Sequence, residues 1–184
     1  MSLFSMSSTR PPVTDDSADL SRGFAPIAGR DARVLVLGSL PSQRSIAERQ
    51  YYAHPQNAFW RIMAELAGAT GTYAERCAAL IQRRIAVWDV LAASVRPGSR
   101  DADIVTSSAQ VNDFKNFFGS HPEIGRICFN GRKAAQLFER SAAGLTAPRE
   151  LIVLPSTSPA YAAMRFDDKL RHWRAGLTTQ PTGG

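Results

Sequence analysis

Four short apolar runs divide the chain. Val34-Leu35-Val36-Leu37, Ile85 to Val90, Arg126 to Asn130 with Ile127, Cys128 and Phe129 inside it, and Leu151 to Leu154 are rich in branched and aromatic side chains. Runs of that length and composition predict buried strands rather than helices. Between them the apolar positions change to helical spacing. Phe59, Ile62, Met63 and Leu66 fall at i, i+3, i+4 and i+7 and predict a helix that begins at Asn57 and ends near Gly68. Tyr73, Cys77, Leu80 and Ile81 mark a second helix, and Val111, Phe114 and Phe118 a short third. Ala134, Leu137 and Phe138 follow the turn at Gly131, and Asp167 to Arg174 closes the domain. Leu91 to Asp103 and Pro155 to Ala160 read as loops. Strands alternate with helices, and each crossover is long enough to return to the same edge. The expected fold is α/β: a three-layer α/β/α sandwich around a central four-stranded parallel sheet. Ligands of such sheets sit above the carboxyl ends of the strands, where the loops 38–57, 91–103 and 155–165 would converge.

The segment before the first strand is rich in Ser, Thr, Pro and Asp and nearly devoid of aliphatic side chains. It predicts a disordered tail over residues 1–22, then one domain over 23–178 onto which Phe24 to Ile27 pack, and a flexible tail over 179–184. A formal net charge of +6 suits a polyanionic partner without identifying one. The two cysteines, Cys77 and Cys128, each lie inside an apolar pattern, which predicts buried thiols in a reducing compartment, the cytoplasm. Two cysteines cannot supply four ligands to an iron–sulfur cluster. The three histidines, His54, His121 and His172, lack the paired spacing of a zinc site. No metal and no cofactor is therefore expected. No apolar run approaches membrane-spanning length and no signal peptide is visible, so no membrane is expected either.

The candidate chemistry gathers after the first strand. Gly38-Ser39-Leu40-Pro41-Ser42 stops the strand, and a polar stretch then carries Tyr51, Tyr52, His54 and Pro55 up to Asn57. Flat rings and hydrogen-bonding groups, with no carboxylate after Glu48, suit a neutral planar ligand. There is no Walker loop or GxGxxG to cradle a phosphate, and no GxSxG elbow to present a nucleophile.

Gly38-x-x-Pro41-Ser42 followed by Tyr52-Ala53-His54-Pro55-Gln56-Asn57-x-Phe59-Trp60 resembles the first motif of the uracil-DNA glycosylase superfamily. The block is most similar to the hypoxanthine-DNA glycosylase branch, with likeness also to the mismatch-specific branch. Leu154-Pro155-Ser156-Thr157-Ser158-Pro159-Ala160 resembles the second motif, and Phe129-Asn130-Gly131-Arg132-Lys133-Ala134 the intervening strand-to-helix turn. With Trp88-Asp89-Val90 and Arg96-Pro97-Gly98-Ser99, the likeness spans roughly residues 30–175. The resemblance implies a monofunctional, metal-free DNA repair enzyme. It would hydrolyse the N-glycosidic bond of a deaminated base, hypoxanthine or uracil, flipped out of DNA, and leave an abasic site. Mismatch-specific relatives carry a catalytic Asn directly before the Pro of the first motif. Here that position is Leu40, which cannot orient water. In the hypoxanthine branch the working Asn lies later and corresponds to Asn57, and Tyr52 matches the ring that stacks on the extruded base.

The site expected on this basis has Asn57 as the catalytic residue. Gly38, Ser39, Leu40, Pro41, Tyr52 and Ser156 bind the base. Ser42, Asn130, Arg132, Lys133, Ser158, Tyr161, Met164 and Arg165 bind DNA, with Tyr161 or Met164 filling the gap left in the duplex. The partner is DNA containing deaminated bases, and the protein is expected to act as a monomer. Plainer roles stand beside these. Asn57 also reads as a helix N-cap, Tyr52 as core packing, His54 as a loop-pinning group, and Ser156 and Ser158 as turn residues. Arg132 and Lys133 also read as solvated charges, and Asp89 as a loop anchor rather than a base. Two other functions remain open at this level. One is a module that senses lesions without excising them, which Leu40 keeps in view. The other is a free-nucleoside hydrolase, which the missing aspartate cluster in the first loop opposes.

Overall fold

The computed structural model of the protein describes residues 20–145 and 148–178, so the tail expectations for residues 1–19 and 179–184 lie outside it. In chain order the chain forms β1 (Leu20–Arg22), β2 (Val34–Gly38), α1 (Gln43–Glu48), α2 (Phe59–Ala67) and α3 (Tyr73–Gln82). It continues through β3 (Ile85–Asp89), β4 (Leu91–Val95), β5 (Gln110–Val111), α4 (Phe114–Ser120) and β6 (Arg126–Asn130). It closes with α5 (Arg132–Ala142), β7 (Glu150–Leu154) and α6 (Phe166–Leu177).

The four expected strands form one parallel sheet in the order β3-β2-β6-β7. Every residue of β2 and of β3 is buried. Strands covered on both faces have no solvent side to alternate with, so their sequences read as unbroken apolar runs. Gly38 is in register with Asp89, and Asn130 with Leu154, so the strands finish side by side and their loops share one end of the sheet.

Helices cover both faces. On one, α2 buries Phe59, Trp60, Ile62 and Met63, and Phe59 meets Trp173 of α6 edge-on at 5.9 Å. On the other, Phe114 of α4 packs edge-on against Trp88 of β3 at 5.3 Å and against Phe138 of α5 at 4.9 Å. Successive strand residues point to opposite faces, so Asp89, next to Trp88, faces the α2 side. Phe24 and Ile27 pack on as expected: Trp88 donates its ring N–H to the Phe24 carbonyl, and Ile27 bridges Val87.

Four elements depart from the expectation. Residues 91–103, read as loop, begin with β4, which pairs antiparallel with β1 and β5 in a second small sheet. Ala92-Ala93-Ser94 is too weakly apolar to announce a strand, yet Ser94 is buried and its hydroxyl donates to the Val105 carbonyl at 3.1 Å. Leu20–Arg22, assigned to the tail, forms β1 because β4 offers it an edge. Val111 lies in β5, and the third helix starts only at Phe114, where Asp113 accepts a hydrogen bond from the Asn116 N–H. The short helix α1 also lacks an apolar stripe and is capped by Ser42, whose hydroxyl accepts from the Ser45 N–H at 3.1 Å.

Gly131 makes the turn from β6 into α5 at φ +96°, and a Cβ there would lie 3.1 Å from the Ser156 Cβ. Both strain and crowding therefore oppose a side chain. Gly131→Ala is expected to destabilise the fold by about 1–3 kcal/mol. Gly125→Ala, with open space around it, is expected to stay within about 0.5 kcal/mol of wild type. Urea unfolding of the two variants checks the contrast.

Candidate active site

A cleft of about 380 Å³ opens over the carboxyl ends of the sheet strands. Its floor is the turn Gly38–Ser42 and Asp89. Its walls come from Tyr52 and Asn57 on one side and the loop after β7 on the other.

The turn is held from behind by Arg96, which follows β4. Its guanidinium is buried and donates to the Leu40 carbonyl at 3.2 Å and to the Pro41 carbonyl. Burial lowers its pKa from the ordinary arginine value, while Asp101, Asp89 and Asp103 favour the charged form. Asp101 sits on a 3-10 turn (Asp101–Asp103) that closes over the cleft and accepts a hydrogen bond from the Ser39 hydroxyl.

Tyr52 adopts φ +54°, a conformation that costs a non-glycine residue free energy and persists where its surroundings over-determine it. Those surroundings are visible. The Tyr51 carbonyl accepts from the Trp60 ring N–H at 2.7 Å, the Tyr51 N–H donates to the Tyr73 hydroxyl, and the Ala53 N–H donates to the Ser45 hydroxyl. The result stacks the Tyr52 ring on Phe59 with centroids 4.0 Å apart, leaving its free surface to line the cleft. His54 pins the same loop, accepting from the Gln56 N–H through Nδ1.

Asn57 is fixed by its own helix. α2 starts at Phe59, so Asn57 stands one residue before the cap position, which Ala58 occupies without a side-chain bond. The Asn57 Oδ1 accepts from the Phe59 N–H at 2.9 Å. It thereby satisfies one of the unpaired first-turn donors, and that contact also fixes which end of the amide is oxygen. The neighbouring Ala58 N–H donates to the Thr157 carbonyl at 3.0 Å. Thr157 is clasped in turn by Asn130. The Asn130 amide donates to the Thr157 hydroxyl and accepts from its N–H, both at 2.8 Å.

Asp89 is the electrostatic exception on the floor. Burial, and then the nearby Asp101, push its carboxyl from the ordinary 3.8 up to about 8, against the pull of Arg96. Its Oδ2 has no hydrogen-bond partner among the described residues. Its backbone carbonyl, by contrast, accepts from the Asn112 amide at 2.9 Å. The side chain is therefore not the loop anchor expected from the sequence. Burial, reinforced by Asp89, also raises the Tyr52 hydroxyl well above the ordinary phenol range.

The structure brings Gly38, Ser39, Leu40, Pro41, Ser42, Tyr52, Asn57, Asn130, Ser156, Ser158 and Tyr161 to the one cleft. Asn130 is there as a strut, with its amide committed to Thr157. Arg132 and Lys133 stand apart at the start of α5, the first exposed and the second half-buried. Met164 and Arg165 line a neighbouring shallow groove that shares Tyr161 with the cleft. Arg96, Asp101 and Thr157 hold or line the cleft, and the motif reading did not single them out. For Asp89 a signal existed: a carboxylate closing the otherwise apolar strand Ile85-Ala86-Val87-Trp88. Among the described residues no group of three or more His, Cys, Asp or Glu side chains is placed to hold a metal ion.

Comparison with known proteins identifies the family. Residues 26–177 match the uracil DNA glycosylase superfamily, and the chain belongs to that superfamily. A hypoxanthine DNA glycosylase of Methanosarcina acetivorans is 38% identical over 144 residues, covering 77% of this chain and 88% of the relative. One of Methanosarcina barkeri is 35% identical over 118 residues, covering 62% and 73%. A solution NMR structure of a uracil DNA glycosylase candidate from M. acetivorans superposes with a TM-score of 0.73 at 35% identity, covering 86% of this chain and 96% of that one.

The state of Asp89 gives stability a pH signature. The folded protein holds this proton up to about pH 8, whereas the unfolded chain releases it near pH 4. Between those values the folded state binds more protons, so stability falls as pH rises through the window and levels off above it. Asp89→Asn removes this slope. Its melting temperature relative to wild type is expected to climb steadily from pH 4 to pH 8, and a constant offset would contradict a neutral Asp89.

Proposed function

We propose that the protein is a monofunctional DNA glycosylase that flips a deaminated base, hypoxanthine foremost and uracil as the alternative, into this cleft and hydrolyses its N-glycosidic bond. The observation that carries the reading is the pairing of Tyr52 and Asn57 beside a base-sized cleft in a superfamily member whose relatives are named hypoxanthine DNA glycosylases. A base inside a duplex is out of reach, so extrusion comes first. The net charge of +6 grips phosphates without reading sequence, with Arg132 and Lys133 at the start of α5 as contacts. Tyr161 is exposed on the loop after β7, and its carbonyl accepts from the Lys169 ammonium at 2.8 Å. This anchor lets the loop press into the duplex and fill the space vacated by the base.

In the cleft the base stacks on Tyr52, worth roughly 1–3 kcal/mol for such contacts. Backbone groups of the Gly38–Pro41 turn and Ser156 meet its polar edge. The bond breaks through an oxocarbenium-like state at C1′, and water must reach that carbon. The Asn57 oxygen keeps one lone pair for water while the Phe59 N–H holds the other. An amide is too weak a base to take the proton early, so its contribution is position and preset orientation. No lysine lines the cleft among the described residues, which favours hydrolysis over strand cleavage through a Schiff base. The protein acts as a monomer in the cytoplasm, a setting that suits its two free thiols, Cys77 and Cys128.

The direct test incubates the protein with oligonucleotides carrying single hypoxanthine, uracil or xanthine bases and reveals abasic sites with alkali. Release of hypoxanthine is expected, and release of no deaminated base overturns the reading. Asn57→Ala is expected to lower excision by about 100-fold or more while lesion binding persists. Loss of the first-turn bond should cost about 1 kcal/mol of stability, so melting is measured alongside. A folded Asn57→Ala with near-wild-type excision removes Asn57 from the chemistry. Replacing Tyr161 and Met164 together by Gly should slow excision from duplex DNA more than from single strands, because only the duplex must be opened. Equal losses on both substrates would exclude the wedge role.

A further inference from the structure

The cleft floor holds two polar atoms that the fold leaves unmatched. Asp89 Oδ2 and the Tyr52 hydroxyl are both buried, and neither has a hydrogen-bond partner among the described residues. Asp89 and Tyr52 both line the cleft, and the other carboxyl oxygen of Asp89, Oδ1, and the Tyr52 hydroxyl crowd the space where a Gly38 side chain would stand, so the bare backbone at Gly38 leaves room for them. A buried polar group without a partner is destabilising, a cost that a bound ligand can relieve.

The charge inventory points to what the ligand needs. Among the described residues lining the cleft, the charged types are Asp89, Arg100 and Asp101. The Arg100 guanidinium is turned to Asp103 at 2.9 Å. A purine that departs with the electron pair of its glycosidic bond is an anion, and no unengaged cation waits for it here. It can leave neutral only if it collects a proton.

Resting on the function proposed above, we propose that Asp89 is the general acid for base release. As the C1′–N9 bond of the flipped deoxyinosine breaks, its electron pair passes into the purine ring. The hydrogen on the Asp89 carboxyl moves to N7, hypoxanthine leaves uncharged, and Asp89 becomes a carboxylate. The water held at Asn57 adds its oxygen to C1′ and loses a proton to solvent, and solvent reprotonates Asp89. The groups that face this carboxyl are Asp101 and the Tyr51 and Tyr52 hydroxyls, which oppose its ionisation or are opposed by it, and Arg96, which favours it. Burial and Asp101 prevail, so the acid form persists to about pH 8, and Arg96 supplies the counter-charge once the proton has gone.

The test is single-turnover release of hypoxanthine by wild type and Asp89→Asn. It uses duplexes carrying deoxyinosine or 7-deazadeoxyinosine, which lacks the accepting nitrogen, from pH 5 to pH 10. Asparagine still donates a hydrogen bond but cannot surrender a proton. On deoxyinosine the variant is expected to be slower by about 100-fold at pH 7, and the wild-type rate should fall above about pH 8 while the variant's does not. On the 7-deaza substrate the two proteins should be equally slow. A variant at the wild-type rate on deoxyinosine overturns the assignment, and so does the same rate ratio on both substrates. Should the variant misfold, the wild-type pH profile and its loss of rate on the 7-deaza substrate still decide. If wild type releases no hypoxanthine from deoxyinosine at any pH, the parent function fails, an outcome distinct from failure of Asp89 alone.

Discussion

A buried guanidinium on two backbone carbonyls is the contact on which the site depends. The Leu40 and Pro41 carbonyls point inward from a turn that must present its other side to a ligand, and buried carbonyls without donors are costly. Arg96 supplies those donors while remaining charged out of water, which is tolerable because acidic groups surround it. The small antiparallel sheet gains its purpose from this. β1 and β5 hold β4 in place, and β4 delivers Arg96 to the back of the turn. A structural accessory at the sheet's margin therefore sets the floor of the cleft.

The same cation shapes the electrostatics. Arg96 favours ionisation of Asp89, whereas burial and Asp101 disfavour it, and the latter prevail. A neutral acid results where two fully ionised carboxylates would repel. Asp101 is held near this balance by its bond from Ser39, so the 3-10 turn over the cleft is also part of the charge arrangement rather than only a cover.

The parallel sheet was legible because its strands are buried on both faces, so Val34 to Leu37 and Ile85 to Trp88 carry their position in their composition. α2 was legible from spacing, and the cleft loops from the block around Tyr52 and Asn57. What escaped had a weak local signal. β4 is built of small residues, β1 is a strand only because β4 is beside it, and α1 is too short to have a face. Asn57 was expected at the cap and lies one residue earlier, a difference that only the φ and ψ of Ala58 reveal. Arg96 looks like any loop arginine until the chain returns to Leu40. The protonation of Asp89 depends on Asp101 and on depth, and neither is a property of neighbouring residues in sequence.

Thr157 has a consequence for how errors are avoided. Its carbonyl receives the Ala58 N–H at the root of α2, its N–H and hydroxyl are clasped by Asn130, and its own segment continues into the loop that bears Tyr161. Tyr161, proposed above as the wedge, and Asn57, proposed above to hold the water, are thus mounted on one frame, joined mainly through backbone. A nucleotide only partly withdrawn from its stack would displace the first and so misalign the second. Fidelity in such an arrangement comes from rigid gauging of how far the nucleotide has travelled, and it precedes any inspection of the base itself.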